Sequence, residues 1–201
     1  MSEHYYSKKT TAESDEKSWS FTLRGHSLDF TTDHAVFSKR EVDFGSRLLI
    51  DSFQEPEVNG DLLDLGCGYG PIGITLAKDF PDRHVWMVDV NERALSLAGK
   101  NAKQNAVTNV TIQESDRLQG LQDRKFASIL TNPPIRAGKK VVHQMFEEAQ
   151  QSLLNQGELW VVIQKKQGAP SAKQKIEDLF GNVDDVVKQK GYYIFKAKKF
   201  D

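Results

Sequence analysis

Cysteine occurs once, at Cys67, so the chain can close no internal disulfide and a cysteine-rich metal centre is excluded. Charge of one sign is not in excess either. Lys and Arg total 27 against 28 Asp and Glu, a net −1, and the overall basic character common in nucleic-acid-binding proteins is absent. A cancelling total still leaves room for a local basic face. No apolar run approaches the roughly 18–20 residues that cross a bilayer. The opening MSEHYYSKKTTAESDEKSWS lacks the apolar region of a signal peptide, so a cytoplasmic protein without membrane contact is expected. Repeats at solenoid periods are missing. The five histidines show no ligand spacing, and no metal is expected. Proline is scarce, six in all, which makes the adjacent pair Pro133-Pro134 conspicuous.

The 201 residues, 38% hydrophobic and 27% charged, suit one soluble domain with a real core. Residues 1–18 read as a flexible N-terminus. WSFTLRGHSLDFTT (19–32) gives two alternating runs around a turn, a hairpin, and EVDFGSRLLIDSF (41–53) has helical spacing. Beyond residue 57 short apolar strands alternate with helices: strands at 62–66, 84–90, 109–115, 126–132 and 157–165, helices at 71–80, 91–105, 141–154 and 171–181. Two further strands at 183–199 flank the turn KQKG. This alternation predicts βαβ units and an α/β doubly wound sheet of about seven strands. The sheet is mostly parallel with an antiparallel last strand, and a small N-terminal β-hairpin and helix (19–56) extend the core (57–201). In such sheets ligands bind at the carboxyl ends of the strands, near the point where strand order reverses.

The first strand tip reads DLGCGYGPIG (64–73), with Gly66, Gly68 and Gly70 between a strand and a helix. Glycines there permit a tight turn and a close backbone approach, and the helix start behind them offers free N–H groups. Gly68-Tyr69-Gly70-Pro71-Ile72-Gly73 satisfies the dinucleotide pattern G-x-G-x-x-G, and Asp89, 21 residues after Gly68, ends the second strand. A carboxylate there accepts from both ribose hydroxyls, which serves NAD and other adenosine ligands alike. Asp64 leans the choice, because a carboxylate two residues before Gly66 suits a ligand with a cationic end. Cys67, inside the loop without a His partner, reads as a small filler.

Asp-Leu-Gly-Cys-Gly-Tyr-Gly resembles the first motif of the class I S-adenosylmethionine (SAM)-dependent methyltransferases, whose fold is Rossmann-like. The resemblance implies SAM as cofactor, Asp89 as the ribose-binding acid, and Ser115-Asp116 as the polar pair beside the adenine amino group. LTNPPI (130–135) ends the fourth strand of the core. Alone, Asn132 is a turn former. In that family Asn-Pro-Pro followed by an aromatic marks enzymes that methylate exocyclic or amide nitrogens. Such a nitrogen has its lone pair delocalised and is a poor nucleophile. If the Asn132 side-chain oxygen and the Pro133 carbonyl accept its two hydrogens, the nitrogen is held and polarised without a strong base. The catalytic set implied is Asn132, Pro133, Pro134 and Ile135, with Asn132 also facing the cofactor. Ile135 departs from the usual Phe or Tyr that stacks on the base; Phe37, Tyr69 and Trp160 are candidate substitutes.

VFSKREVDFGSRLLI (36–50) resembles the segment ahead of the first motif in the ribosomal RNA small subunit methyltransferase C family, which methylates guanine N2. The matching residues are Phe37-Ser38, Asp43, Gly45-Ser46 and Leu48-Leu49, and the likeness continues through Asp89, the Asn-Pro-Pro tip and QGELWVV (156–162). It covers roughly residues 20–200. It implies a methyltransferase of an exocyclic amine in ribosomal RNA, with guanine N2 of 16S rRNA as target and the small ribosomal subunit as partner. Proteobacterial members carry a second, degenerate domain ahead of this one, for which 201 residues leave no room. NPPIRAGKK also replaces their NPPFH. Arg136, Lys139 and Lys140 follow the tip and Lys165-Lys166 the fifth strand, placing cations for phosphates on one edge. Arg24, His26, Lys39 and Arg40 are expected to extend that surface, while the C-terminal lysines read as protection of a sheet edge. Other amine targets of the same tip are DNA adenine, protein glutamine and small molecules; a dinucleotide-dependent oxidoreductase and a noncatalytic RNA-binding relic are the readings outside methyl transfer.

Overall fold

The computed structural model describes residues 8, 9, 13–33 and 41–201. Strands β1 (Glu16–Leu23) and β2 (His26–Asp33) pair antiparallel in unbroken register from Glu16 opposite Asp33 to Leu23 opposite His26. Arg24 and Gly25 between them both have positive φ, 48° and 78°. That geometry matches the right-handed twist of the two strands. β1 takes in Glu16, Lys17 and Ser18, so the hairpin begins inside the segment read as a loose terminus.

Helix α1 (Phe44–Ser52) follows, capped by the Asp43 carboxylate, which accepts from Ser46 N–H. The chain then alternates through β3 (Leu62–Leu65), α2 (Pro71–Asp79), β4 (Val85–Asp89), α3 (Glu92–Gln104), β5 (Val110–Glu114) and β6 (Phe126–Thr131). It closes with α4 (Lys139–Ser152), β7 (Leu153–Gln164), α5 (Ala169–Phe180), β8 (Asp184–Gln189) and β9 (Tyr192–Lys198). The seven strands from β3 onward form one sheet in the order β5-β4-β3-β6-β7-β9-β8. β5 through β7 run parallel, and β9 is antiparallel to both its neighbours. β9 therefore lies inside the sheet. The sequence expectation that Lys196 and Lys198 protect an edge is corrected: Lys196 sits over the Trp160 ring and Lys198 lies 3.9 Å from Glu158. The edge is β8, where Lys188 pairs with Asp185.

β3, β4 and β6 are buried along their whole length, as strands covered on both faces must be. Side-chain alternation splits the core in two. Leu62 joins the layer under the hairpin, α1, α2 and α3, whereas Leu63 and Leu65 join the layer under α4 and α5. The hairpin docks through two asparagines one helical turn apart, Asn101 on α3 and Asn105 capping its end. Asn101 accepts from Thr31 N–H (2.7 Å) and donates to Thr31 C=O (2.9 Å), and Asn105 makes the same pair of bonds to Asp29. Their carboxamides thus stand in for a neighbouring strand. At its turn end, Arg24 and His26 both engage Asp79 at the end of α2, and Arg24 also donates to Ile50 and Phe53 carbonyls. These two residues anchor the hairpin and do not extend a basic surface. Among the described residues no helix is long and apolar enough to cross a membrane.

Candidate active site

Strand order reverses between β3 and β6, so the carboxyl ends of these two strands flank the crevice. The Thr131 hydroxyl donates to Leu65 C=O at 2.8 Å and locks one tip to the other. Gly66, Gly68 and Gly70 all hold positive φ (77°, 58° and 101°). A Cβ at Gly66 would meet nothing within 4 Å, so the backbone at Gly66 is bare, whereas one at Gly70 would lie 2.8 Å from Ile74 and Met87. Gly73 serves packing instead: a Cβ there would lie 2.6 Å from Met87 Cγ.

A small cleft opens here, and Gly66, Asp89, Ser115, Asn132 and Pro134 line it. Asp89 is buried; its Oδ2 accepts from Gly68 N–H and its Oδ1 from Asn91 N–H, both at 2.9 Å. One carboxylate thereby ties the glycine loop to the start of α3. The Ser115 hydroxyl turns into its own loop, donating to Arg117 C=O (2.8 Å) and accepting from Gly120 N–H (3.1 Å). Asp116 points outward, half exposed and 3.0 Å from Arg117. Arg117 itself lines the cleft, held by Glu148 at 2.9 Å, at a φ of 53°. Nothing in the local sequence marks that arginine.

Asp64 lies behind the loop, 1% exposed. Its Oδ2 accepts from Gly73 N–H at 2.9 Å, and its Oδ1 is buried with no hydrogen-bond partner. Burial pushes its pKa from the ordinary 3.8 to about 7; the Gly73 bond opposes that shift and nearby Asp89 adds to it. The orphaned oxygen fits a ligand that brings a cationic or N–H donor. Burial, with Asp64 and Asp89 close by, pushes the Cys67 thiol well above its usual range, so it stays protonated.

At the tip of β6, Asn132 Nδ2 donates to Asp43 Oδ2 (3.2 Å) and to Ser46 Oγ (3.1 Å) at the start of α1. Asp43 has only acceptors to offer, so the amide NH₂ must face it. The Oδ1 is left on the opposite side of the amide. Both partners belong to the Asp-x-Gly-Ser segment, which sequence marked by resemblance without a role. Pro133 is buried, and Ile135 opens a short 3₁₀ turn, Ile135–Ala137, packed against the second core. Arg136, Lys139, Lys140, Lys165 and Lys166 are exposed on this edge, none paired with a carboxylate among the described residues. Of the candidate stacking rings, Tyr69 and Trp160 are 2% and 1% exposed and belong to the core, which removes them as platforms. Phe37, with Lys39 and Arg40, lies outside the described residues.

The model of the methyltransferase small domain family matches residues 27–196. An uncharacterized Bacillus subtilis protein, YbxB, is 62% identical over 200 residues, 99% of this chain and 100% of that protein. Ribosomal RNA large subunit methyltransferase G of Photobacterium profundum is 31% identical across 92% of this chain and 50% of its own length. A solved structure, the T. thermophilus 16S rRNA N2 G1207 methyltransferase (RsmC) in complex with AdoMet and guanosine, superposes with a TM-score of 0.81 at 26% identity. That match covers 92% of this chain and 50% of the other. The chain thus spans all of the Bacillus protein and about half of each named ribosomal RNA methyltransferase.

Proposed function

The chain belongs to the methyltransferase small domain family, and on that premise we propose that it methylates an exocyclic amino nitrogen of ribosomal RNA with SAM as donor, at guanine N2 of 16S rRNA. The observation that carries this reading is the orientation of Asn132. With its NH₂ committed to Asp43 and Ser46, its Oδ1 is an acceptor preset for an amine in the cleft. The Pro133 carbonyl is the second acceptor. Two fixed acceptors hold the amine and polarise it, and no desolvated base has to be charged for the step.

The cofactor's place is argued from the donor set. Asp89 sits at the cleft wall for a ribose, the bare backbone of Gly66 admits close approach, and the unpaired Oδ1 of Asp64 suits the ammonium of a methionine moiety. Bound there, SAM supplies an electrophilic methyl carbon on a sulfonium. Asp116 points away from the cleft, so in this reading Ser115 and Arg117 form the wall beside the adenine. The solved 16S enzyme supports the small subunit as target. The Photobacterium relative makes the large subunit the necessary comparison.

The test supplies tritiated SAM with small subunits, large subunits, naked ribosomal RNA, DNA and protein, followed by mass-spectrometric mapping of the modified nucleotide. Label at a guanine N2 of 16S rRNA is expected. Asn132→Ala should lower kcat by roughly 10²–10³-fold, the scale for removing one preorganised hydrogen-bonding group, while SAM still binds. Full activity in that variant would sink the mechanism, and label only in DNA or protein would sink the substrate.

A further inference from the structure

Ile135 is aliphatic and partly buried against the second core, and Tyr69 and Trp160 are buried. None of the aromatic faces considered from sequence within the described residues is available for stacking beside the tip. Two other rings are. Phe44 and Tyr192 are both partly exposed, with centroids 5.4 Å apart and planes inclined at 54°. Phe44 sits between Asp43 and Gly45-Ser46, within the turn that clamps Asn132. Tyr192 pairs with Gln164 at the carboxyl end of β7, on the sheet edge that carries the site. Gly45 permits the approach, since a Cβ there would lie 2.8 Å from the Tyr192 ring.

Cations surround the pair. Lys190 Nζ lies 4.8 Å from the Phe44 centroid, and the Arg47 guanidinium lies 5.5 Å from Phe44 and 5.4 Å from Phe21. Neither cation forms an ion pair among the described residues, and Arg47 Nε is buried without a hydrogen-bond partner. Cations without an ion-pair partner among the described residues, set over partly exposed rings, match what single-stranded nucleic acid presents, a phosphate next to every base.

We propose that Phe44, Tyr192, Arg47 and Lys190 form a stacking shelf for a nucleotide of single-stranded RNA that flanks the methylated one. The proposal rests on the reading that the substrate is RNA. The flanking nucleotide is specified because the shelf adjoins the NH₂ side of Asn132, whereas the target amine has to meet the Oδ1 side.

The test measures binding of a short fluorescein-labelled single-stranded RNA to the full chain by anisotropy over a range of salt. Phe44→Leu and Tyr192→Leu should each weaken binding roughly fivefold to a hundredfold, as expected for loss of one stacked base. Arg47→Gln and Lys190→Gln should each reduce the salt slope by about 0.7. A SAM titration checks that each variant keeps its folded cofactor site, and Lys190, exposed in a turn, provides a variant with little risk to folding. The shelf is overturned if the wild type fails to bind the RNA, or if affinity ignores both rings. It is also overturned if only the charge variants matter, which would leave a general polyanion surface. Ring-dependent binding without guanine methylation would leave the shelf standing and remove the target reading; methylation with ring-independent affinity would remove the shelf alone.

Discussion

Replacing Asp43 separates two functions carried by one oxygen. Asp43 Oδ2 accepts from Ser46 N–H at 3.0 Å as the cap of α1, and from Asn132 Nδ2 at 3.2 Å as the clamp. Asp43→Ala removes both. Loss of the cap should lower stability by about 1 kcal/mol, a fall in Tm of roughly 2–4 °C for a chain of this size. Loss of the clamp lets the Asn132 amide flip. Ser46 hardly resists this, because its hydroxyl can accept from the NH₂ or donate to the oxygen. With both orientations populated, the competent one falls to about half, a twofold effect. The freed side chain must also be ordered again when substrate arrives, at about 0.5–1.5 kcal/mol, a further factor of roughly 2–13. The product is a decrease in kcat/KM of about 5–25-fold, well short of the loss expected for Asn132→Ala. Asp43→Asn should stay near wild type in both properties, because a single amide oxygen at the Oδ2 position can still take both bonds. Steady-state methylation of ribosomal RNA and thermal unfolding of the three variants give the comparison. Unchanged kcat/KM in Asp43→Ala would refute the clamp. A loss as complete as that of Asn132→Ala would show that Asp43 acts on the substrate directly.

Asp64 should make stability depend on pH. Its pKa is about 7 in the folded chain and near 3.8 when unfolded, so between those values the folded state holds a proton that the unfolded chain has released. The stability this contributes is fully present below about pH 4 and is lost as pH rises through 7, with an upper limit of about 4 kcal/mol. Asp64→Asn should therefore gain stability over wild type at pH 8 and much less at pH 5 by urea unfolding; an equal effect at both pH values would contradict the assigned burial. Asn101→Ala should destabilise by roughly 2–4 kcal/mol, because it strands the buried Thr31 N–H together with the Thr31 and Tyr69 carbonyls. A Tm shift under about 2 °C, where 2–4 kcal/mol should move Tm by at least about 4 °C, would mean that the hairpin does not depend on this bridge.

Much of the fold is legible without coordinates because its signals are local. The glycines of 66–70 require positive φ wherever the loop lies. Strands β3, β4 and β6 read as largely apolar runs because both faces are covered, with Asp64 and Asp89 as the exceptions that mark the site. Order along the chain, strand then glycine loop then helix then Asp89, places a binding edge before any contact is known. The Asn-Pro-Pro tip is likewise visible, since Pro133 ends the strand by chemistry of its own backbone.

What tertiary structure decided is the pairing of residues far apart in sequence. The Asp43 bond to Asn132 spans 89 positions, and no periodicity encodes it. Asp43 alone reads as a helix cap; only the crevice turns the same oxygen toward an amide and so sets which end of Asn132 faces substrate. The docking of α3 onto the hairpin through Asn101 and Asn105 is similar, two polar residues that look like an exposed face until β2 covers them. Phe44 and Tyr192 meet because β9 inserts between β7 and β8 and brings the end of the chain back to the edge that carries the site. Composition and spacing settled which backbone could form; side-chain partners across the sheet edge settled what that backbone presents.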